Sequence, residues 1–504
     1  MTNSDALPEF QHIRDALEIP RDFSPEVLSA AEAVVSRDPL AAALPDLQVI
    51  PFVTIDPPSS LDLDQAFFAA RQGEGYLVRY AIDDIGFFVD RGSVIEQAAW
   101  ARGLTLYSPD LKTPLYPPRL SEDAASLLPD VARPAIVFTF SLNARAEVES
   151  CAITRAVIRS RAKLAYSDVS DHLDAERCTP GSGALAGHEW SGSLPLLEAI
   201  GRQREQLESA RGGINLRIPA QQVERWSTAI YGYRLAFEES SAVEGWNAQI
   251  SLMTGMAAAQ LMIKHQVGLL RALYPPRPDR VEMLRLIAQA LQITWPAEWK
   301  YDDFVRSLDP KQAFHAVMLH QAAKVTGGAR YVAFENETPD NALHSAIAAH
   351  YAHVTAPLRR LADRYVLDLL IELAEGKAPS QETMETLRQL PLTMSQSDRL
   401  SRQLESAIVD FAEVRLLQGR EGETFSAMII GLRPEGVIVQ ITDPPIRTLL
   451  PLAALHAAAH EAQLSPDGAT LALAGQQFSL GQSLTLRLAE ANTSTRSLSF
   501  TAGS

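Results

Sequence analysis

The chain has 504 residues, of which 46% are hydrophobic and 21% charged, a composition that suits two to four globular domains. Its two cysteines, Cys151 and Cys178, exclude a disulfide scaffold. The sequence also has no signal-peptide pattern and no long apolar run. Together these features predict a cytoplasmic protein without a membrane span. The formal net charge of −16 argues against nucleic-acid binding by the surface as a whole, although a local groove can still be basic.

Residues 1–45 predict a small helical region. One helix is expected from Pro8 to Leu17. A second begins at Pro25, where proline suits the first turn, and ends before Asp38. A helix-turn-helix-like cap is one interpretation of this pair. Because no basic recognition helix accompanies it, a packing role is favoured over DNA reading.

Residues 46–415 alternate between strand and helix patterns. Strands are predicted at 49–55, 66–70, 76–82, 136–142 and 152–160, and a helix at 93–102 that ends at Gly103. Further helices are predicted at 166–173, 194–212, 243–270, 280–291, 301–307, 311–324, 354–375 and 395–417. The predicted architecture is an α+β domain with a mixed sheet and a large helical half.

Residues 416–504 predict a small barrel. Strands at 424–432, 437–441, 448–451, 484–489 and 498–501, with one helix at 452–461, form the pattern of an OB-fold, a partly open barrel that binds oligonucleotides. A barrel used only for packing is the alternative. The segment has five Arg, no Lys and seven acidic residues, so any nucleic-acid face must be local.

Three carboxylates, Asp56, Asp62 and Asp64, surround a Pro-Pro-Ser-Ser turn at residues 57–60. Side chains two residues apart in an extended segment point the same way, so Asp62 and Asp64 share a face. Converging acids suit a hard cation such as Mg²⁺, which takes carboxylate, water and phosphate oxygens. On spacing alone, a solvated Asp-rich turn explains the pattern better than a metal site does.

A second stretch, residues 350–363, combines a turn ending at Pro357 with Arg359 and Arg360 in the first turns of a predicted helix. Guanidinium groups and free backbone N–H groups at such a place can hold phosphate. Nearby histidines at positions 344, 350 and 353 are interpreted as groove or core residues rather than as metal ligands, because acids suit Mg²⁺ better.

Together the two stretches resemble the ribonuclease II (RNB) family of 3′→5′ exoribonucleases. In that family an Ile-Asp-Pro segment ending in clustered aspartates opens the catalytic domain, and a Tyr-x-His-Phe-Thr-Ser-Pro-Ile-Arg-Arg-Tyr-x-Asp segment comes late in it. Further similar segments lie between them in the expected order, at 81–85, 102–107, 115–117, 120–127 and 157–166. The C-terminal tail resembles the OB-fold RNA-binding module of the family, so the resemblance covers about residues 46–504.

The resemblance implies roles for individual residues. Asp56, Asp62 and Asp64 fall on three of four family aspartates that bind Mg²⁺ or Mn²⁺, and Asp64 is the one expected to matter most for cleavage. Tyr107 matches a tyrosine that stacks on the 3′-terminal nucleotide. Arg359 matches an arginine at the scissile phosphate. The same end of the RNA is expected to involve two further residues, Arg360 and Glu405. In addition, Asp84 matches the aspartate of an Ile-Ala-Asp-Val strand.

The implied activity is processive 3′→5′ hydrolysis of single-stranded RNA to 5′-nucleoside monophosphates by a monomer. Two departures from the family pattern stand out. Gln65 occupies the fourth aspartate position and leaves only a neutral amide oxygen as a metal ligand. Residues 1–45 are also too few for the paired cold-shock domains usual at this end. The alternative is therefore a catalytically weak RNA-binding protein of the same fold.

Overall fold

The computed structural model describes residues 8–214, 221–225, 233–237, 241–325, 327–455, 462–473 and 475–503. In those ranges the helices are α1 (Pro8–Ala16), α2 (Pro25–Val34), α3 (Val94–Arg102), α4 (Tyr166–Cys178), α5 (Ser193–Arg211), α6 (Ala242–Lys264), α7 (Pro278–Ala290), α8 (Tyr301–Ser307), α9 (Ala313–Val325), α10 (Leu361–Ala374) and α11 (Gln381–Leu417). The strands are β1 (Phe52–Ile55), β2 (Gln65–Gln72), β3 (Gly75–Asp83), β4 (Leu106–Tyr107), β5 (Lys112–Thr113), β6 (Ala132–Leu142), β7 (Val148–Leu164), β8 (Gln221–Arg225), β9 (Tyr233–Phe237), β10 (Val267–Ala272), β11 (Arg330–Glu335), β12 (Leu343–His344), β13 (Ala349–His350), β14 (Thr424–Arg433), β15 (Gly436–Ile441), β16 (Arg447–Pro451), β17 (Gln463–Leu464), β18 (Thr470–Leu473), β19 (Gln476–Ser479), β20 (Ser483–Asn492) and β21 (Ser497–Ala502).

Strands β1, β2, β3, β6 and β7 form a closed barrel. Neighbouring strands are antiparallel except β1 and β7, which run parallel and close the barrel through pairs such as Val53–Ala162. Ala66, Ala81 and Ala156 lie on one face of these strands, in a buried cluster with larger residues such as Phe52 and Leu63. Small side chains suit that face because a barrel of so few strands has a narrow interior. The predicted mixed sheet is confirmed.

The opposite face of the barrel strands packs against the helical half of the domain. Phe67, Tyr80 and Phe138 belong to the same buried core as Trp246 of α6 and Leu370 of α10. Removing side chains of this size from water contributes roughly 1.5–3 kcal/mol each. The predicted α+β architecture is confirmed by this arrangement.

Two predicted helices are too long. The helix predicted at 243–270 ends at Lys264, because Gln266 adopts a left-handed conformation with φ of 55°. The apolar residues that follow form β10, which pairs antiparallel with β11 in a two-stranded sheet. The helix predicted at 354–375 begins only at Leu361. Its first turns are replaced by a loop because Asp363 accepts a hydrogen bond from the Ala356 N–H (2.8 Å) and fixes that segment outside the helix.

The C-terminal strands form an antiparallel sheet in the order β16-β15-β14-β20-β21, whose edge strands approach each other in a nearly closed barrel. All five strands of this OB-type barrel match the predicted ones. Its core is continuous with the helical half, since Ile287 of α7 and Met318 of α9 cluster with Ile429 and Val439. Of the helix predicted at 452–461, residues 452–455 form a 3-10 turn and residues 456–461 lie outside the described ranges.

Each N-terminal helix has a packing partner. Phe10 and Ile13 of α1 are buried with Leu404 and Ile408 of α11, whereas α2 lies against α3. These contacts support the packing role that the sequence favours. No helix in the described ranges combines the length and the apolarity that a bilayer span requires.

Candidate active site

One end of the barrel of β1, β2, β3, β6 and β7 gathers the aspartates. Asp56 follows β1, and its N–H donates to the Leu164 carbonyl of β7 (3.0 Å). Asp64 precedes β2, and its carbonyl accepts from the Asp83 N–H (2.9 Å). Because β1 and β2 are antiparallel neighbours, the end of one and the start of the other lie at the same rim of the barrel.

Asp64 is the most enclosed of the three acids, with 4% of its surface exposed. Its Oδ1 accepts from the Leu358 N–H (2.8 Å) and its Oδ2 from Arg359 Nε (3.3 Å). Burial raises the pKa of Asp64 to about 7, and the Arg359 charge and the Leu358 N–H oppose that rise. The buried Asp64 carboxylate therefore contacts the segment that carries Leu358 and Arg359, almost three hundred residues later in the chain.

Backbone pairing places Arg359 beside the segment that leads to Tyr107. The Arg359 carbonyl accepts from the Thr105 N–H (2.9 Å), and the Leu361 N–H donates to the Gly103 carbonyl (3.0 Å). Arg359 therefore precedes α10 instead of lying in its first turn, which corrects the predicted placement. Its side chain remains 48% exposed, and among the described residues only Asp64 engages its guanidinium. The outer part of the guanidinium is thus available to a ligand.

Asp62 is held by two side chains of one hairpin. Tyr107 Oη donates to its Oδ2 (3.2 Å), and Lys112 Nζ lies 3.1 Å from its Oδ1. Tyr107 and Lys112 are direct cross-strand partners in β4 and β5, so both side chains leave the same face. Tyr107 as a whole is 50% exposed, and a residue that stacks on a nucleotide base has to be exposed.

Asp56 is the acid that fits a metal ion. Among the described residues no donor binds either of its carboxylate oxygens, and burial raises its pKa to about 6, against the nearby Arg359 charge. Mg²⁺ needs only one or two protein carboxylates, with water and substrate phosphate completing its shell. No group of three or more His, Cys, Asp or Glu side chains in the described ranges is arranged to enclose a metal. The predicted set of Asp56, Asp62 and Asp64 is thus not assembled as a metal cage among these residues.

A family model described as the RNB domain matches residues 45–376. The chain belongs to the RNB domain family. Exoribonuclease 2 of Photorhabdus laumondii is 26% identical to it over 470 residues, which cover 90% of this chain and 69% of that protein. Mycoplasma genitalium RNase R in complex with ribose-methylated single-stranded RNA has a TM-score of 0.87 at 21% identity, covering 100% of this chain and 79% of that one. Yeast Ssd1, a pseudonuclease, has a TM-score of 0.70 at 15% identity, covering 93% and 58%.

Gln65 of this RNB protein is bonded at both ends of its amide. Tyr80 Oη donates to Gln65 Oε1 (3.0 Å), and Gln65 Nε2 donates to the Thr355 carbonyl. Strand alternation sends Gln65 to the face that carries Tyr80, opposite to the face of Asp64. The amide thus ties β2 to the segment that precedes Arg359. A carboxylate at this position could not donate to the Thr355 carbonyl.

Arg360 is bound within the protein. Its Nε and Nη2 atoms donate to the two carboxylate oxygens of Asp363 at 2.6 and 2.7 Å, and Asp363 is fully buried. Such a bidentate pair fixes the geometry of the loop before α10. The neighbouring arginines therefore differ: Arg359 presents its outer atoms to solvent, whereas Arg360 holds the loop that carries it.

Two other predicted residues make no hydrogen bond or ion pair with Asp56, Asp62 or Asp64 among the described residues. Glu405 is exposed on α11, where its carboxylate accepts from Ser401 (2.9 Å). Asp84 is buried and pairs with Arg155 of β7 (2.7 Å). The histidines at 344, 350 and 353 form no metal group among the described residues, and His353 Nδ1 instead lies 2.7 Å from Tyr331 Oη.

Two lysines at the site have no role in the sequence argument. Lys163 Nζ donates to the carbonyls of Pro58 (2.7 Å) and Ser60 (2.5 Å), which holds the turn between Asp56 and Asp62. Lys112 partly neutralises Asp62. Alternation along β7 could have shown that Lys163 lies near the barrel rim, but the pairing of β7 with β1 that brings it to this turn spans more than a hundred residues.

Proposed function

We propose that this protein is a 3′→5′ exoribonuclease that processively hydrolyses single-stranded RNA to 5′-nucleoside monophosphates. The name of the bacterial relative, exoribonuclease 2, bears out the predicted enzyme class. The observation that carries the proposal is the meeting of Asp64 and Arg359 across the barrel rim, next to the unbonded carboxylate of Asp56. This arrangement offers acids for a cation and a guanidinium for a phosphate in one place.

Each residue has a part in the hydrolysis. Tyr107 stacks on the terminal base and sets how far the 3′ end enters. Arg359, oriented by Asp64, donates to the phosphoryl oxygens on which charge develops. Water adds to phosphorus, the bond from phosphorus to the 3′-oxygen of the preceding nucleotide breaks, and that oxygen takes a proton. The products are a 5′-monophosphate and an RNA one nucleotide shorter.

The metal belongs at Asp56, with Asp62 and Asp64 close by. Bound there, Mg²⁺ or Mn²⁺ would supply positive charge to the phosphate and would lower the pKa of water. Asp62 reaches this role only by sharing its oxygens with Tyr107 and Lys112. Gln65 we assign to the tie between β2 and the Thr355 carbonyl rather than to the ligand set.

We further propose that residues 46–415 form the catalytic domain and residues 416–504 an OB-fold RNA-binding domain, joined to the helical region 1–45. The two cysteines, Cys151 and Cys178, are free, which suits a reducing cytoplasm. Single-stranded RNA is the proposed substrate and a monomer the proposed state. Every residue assigned to the site comes from this chain, so the proposed site needs no second subunit.

The competing function is RNA binding without turnover. The fold alone permits it, since Ssd1, described as a pseudonuclease, shares the fold. The contacts of Arg359 with Asp64 favour the enzyme, because they orient a guanidinium toward the place where a phosphate would react.

Incubating 5′-labelled single-stranded RNA with the protein in Mg²⁺ or Mn²⁺ separates the two. The enzyme gives a ladder that shortens to a small oligomer, and Asp64→Asn abolishes the ladder while gel-shift binding persists. Binding without cleavage in either metal would leave the RNA-binding protein as the function.

A further inference from the structure

The hairpin that carries Tyr107 is held from behind by the N-terminal helix α1. Leu106 of β4 is buried in one cluster with Phe10 and Ile13 of α1 and with Leu404 of α11. The ring of Phe10 also packs edge-on against Phe411 of α11, with centroids 5.7 Å apart. Helix α1 thus packs against both the longest helix and the hairpin, whose strand β4 also contacts α11 directly.

A buried ion pair joins α1 to the turn of this hairpin. Arg14 donates from Nη1 to Asp110 Oδ1 and from Nη2 to Asp110 Oδ2, both at 2.9 Å. Its Nη1 also donates to Ser108 Oγ (3.0 Å). The two charged side chains are 3% and 0% exposed. A guanidinium that binds a carboxylate through two parallel hydrogen bonds fixes orientation as well as distance.

The turn transmits that constraint to the two strands. The Ser108 N–H and hydroxyl both donate to the Leu111 carbonyl, at 3.0 and 2.6 Å, which closes the turn. The next residue on each side belongs to the cross-strand pair Tyr107–Lys112. A shift of the Arg14 contact would therefore move both of these side chains.

The far side of the hairpin meets the catalytic acids. Tyr107 Oη and Lys112 Nζ bind opposite oxygens of Asp62, and Lys112 also pairs with Glu122 (2.6 Å). The contacts form one continuous series from Arg14 through the turn to Asp62. A buried ion pair is weak evidence for stability, since apolar residues often stabilise as well; its better-attested effect is to specify one arrangement.

We propose that α1 is a positioning element for the nucleotide platform: through Arg14 and Asp110 it fixes the hairpin so that the Tyr107 ring meets the 3′-terminal base and Asp62 stays oriented. The proposal rests on the proposed function in one respect, that Tyr107 contacts the RNA end. Arg14 and Asp110 are positioning residues, since neither touches substrate or reacting atoms.

The test removes both charges together, because a single substitution leaves one buried charge without its opposite charge and can fail to fold. The double variant Arg14→Gln/Asp110→Asn keeps hydrogen-bonding groups of similar size. Arg21→Gln, an exposed arginine in the same region, is the matched control. RNA carrying 2-aminopurine at its 3′ end reports stacking through fluorescence quenching, measured with Asp64→Asn in every protein so that no cleavage is needed.

The double variant should lose most of the quenching and bind the RNA end about tenfold more weakly, and in cleavage-competent protein its KM should rise more than its kcat falls. In a Tyr107→Ala background the same pair of substitutions should add no further loss, because the platform is already gone.

Quenching and KM equal to those of the control would overturn the proposal, as would an effect that adds in full to Tyr107→Ala. Since quenching is read without cleavage, this result is independent of whether the wild-type protein hydrolyses RNA. An inactive wild type would count against the proposed function alone.

Discussion

The two barrels of this protein place opposite charges in partly dehydrated surroundings. At the rim of the catalytic barrel, burial raises the pKa of Asp56 to about 6 and that of Asp64 to about 7. Where α9 meets the C-terminal barrel, burial and neighbouring arginines lower the pKa of Lys324 to about 8. They also lower the pKa of His320 to about 3. The first region would be stabilised by a cation and the second by an anion.

The difference shows how a chain of net charge −16 can bind RNA. At the rim, Asp56 and Asp64 lie where a metal would meet the scissile phosphate, whereas Lys324 of α9 lies near Arg433 and Arg447 of the C-terminal barrel. The catalytic rim should thus govern turnover, and the C-terminal barrel should govern how tightly RNA is held. Each prediction below alters one side of this division.

The largest effect is expected from Arg359→Ala. Removing a donor aimed at developing charge costs about 10²–10³-fold in kcat. Turnover of 5′-labelled RNA under saturating conditions measures it, with Arg21→Ala as the exposed control. A variant that kept its kcat and only raised KM would place Arg359 in RNA holding and so remove it from the catalytic rim.

Gln65→Glu tests the tie on β2. The glutamate can accept from Tyr80 but cannot donate to the Thr355 carbonyl, and an unsatisfied buried acceptor costs about 1–3 kcal/mol. We expect kcat to fall about tenfold while the Mg²⁺ concentration for half-maximal activity stays unchanged, and Gln65→Asp should leave the metal titration unchanged as well. Tighter Mg²⁺ dependence in either variant would show that position 65 lies in the metal shell.

Two long-range contacts, Gln65–Thr355 and Arg14–Asp110, show what the sequence could not predict. The strands of both barrels follow from alternation and turn signals, whereas the role of Asp56, Asp62 and Asp64 rests on the family resemblance, because their spacing alone favours a solvated turn. The two long-range contacts follow from neither, because each joins residues far apart in sequence and neither partner is unusual in its local pattern. Their position depends on how the barrel closes, which local patterns do not specify.

The prediction that Arg359 lies in the first turns of a helix was wrong for a related reason. Its surroundings carry an apolar helical period, so the helix was predicted to start near residue 354. The side chain of Asp363 instead binds both the Ala356 N–H and Arg360, and these competing bonds keep the segment out of the helix. Proline at 357 gave a hint of a boundary, since the residue before a proline avoids helical conformations.

Glu413 lies on α11 and contacts Arg447 of the C-terminal barrel, and we expect its burial to make the stability depend on pH. Burial raises its pKa from the ordinary 4.5 to about 7, despite hydrogen bonds from Gln221 and the Arg447 N–H. A raised carboxyl pKa means that the folded state binds the proton more tightly than the unfolded state. The contribution of Glu413 to the free energy of unfolding is therefore complete below pH 4.5 and is lost as the pH rises through 7.

Glu413→Gln should therefore remove this decline, and at pH 8 its free energy of unfolding should exceed that of the wild type by about 2 kcal/mol. Denaturant unfolding at several pH values measures it. Parallel declines in both proteins would assign the pH dependence to other groups.

The smallest effect is expected from Lys324→Gln, with Lys300→Gln, an exposed lysine of the same domain, as control. Losing one phosphate contact should raise KM about two- to threefold with kcat unchanged, and lower the slope of log affinity against log salt by about 0.7. An unchanged salt slope would remove Lys324 from the RNA path and weaken the contrast between the two barrels.

The central claim is that the aspartate rim hydrolyses RNA from its 3′ end although Gln65 stands in the fourth acid position. Mass spectrometry of the mononucleotides released from single-stranded RNA in Mg²⁺ tests it most directly. The account predicts 5′-monophosphates that appear in order from the 3′ end with the wild type and are absent with Asp64→Asn. Release of 3′-phosphates, release from the 5′ end, or equal release by Asp64→Asn would contradict it.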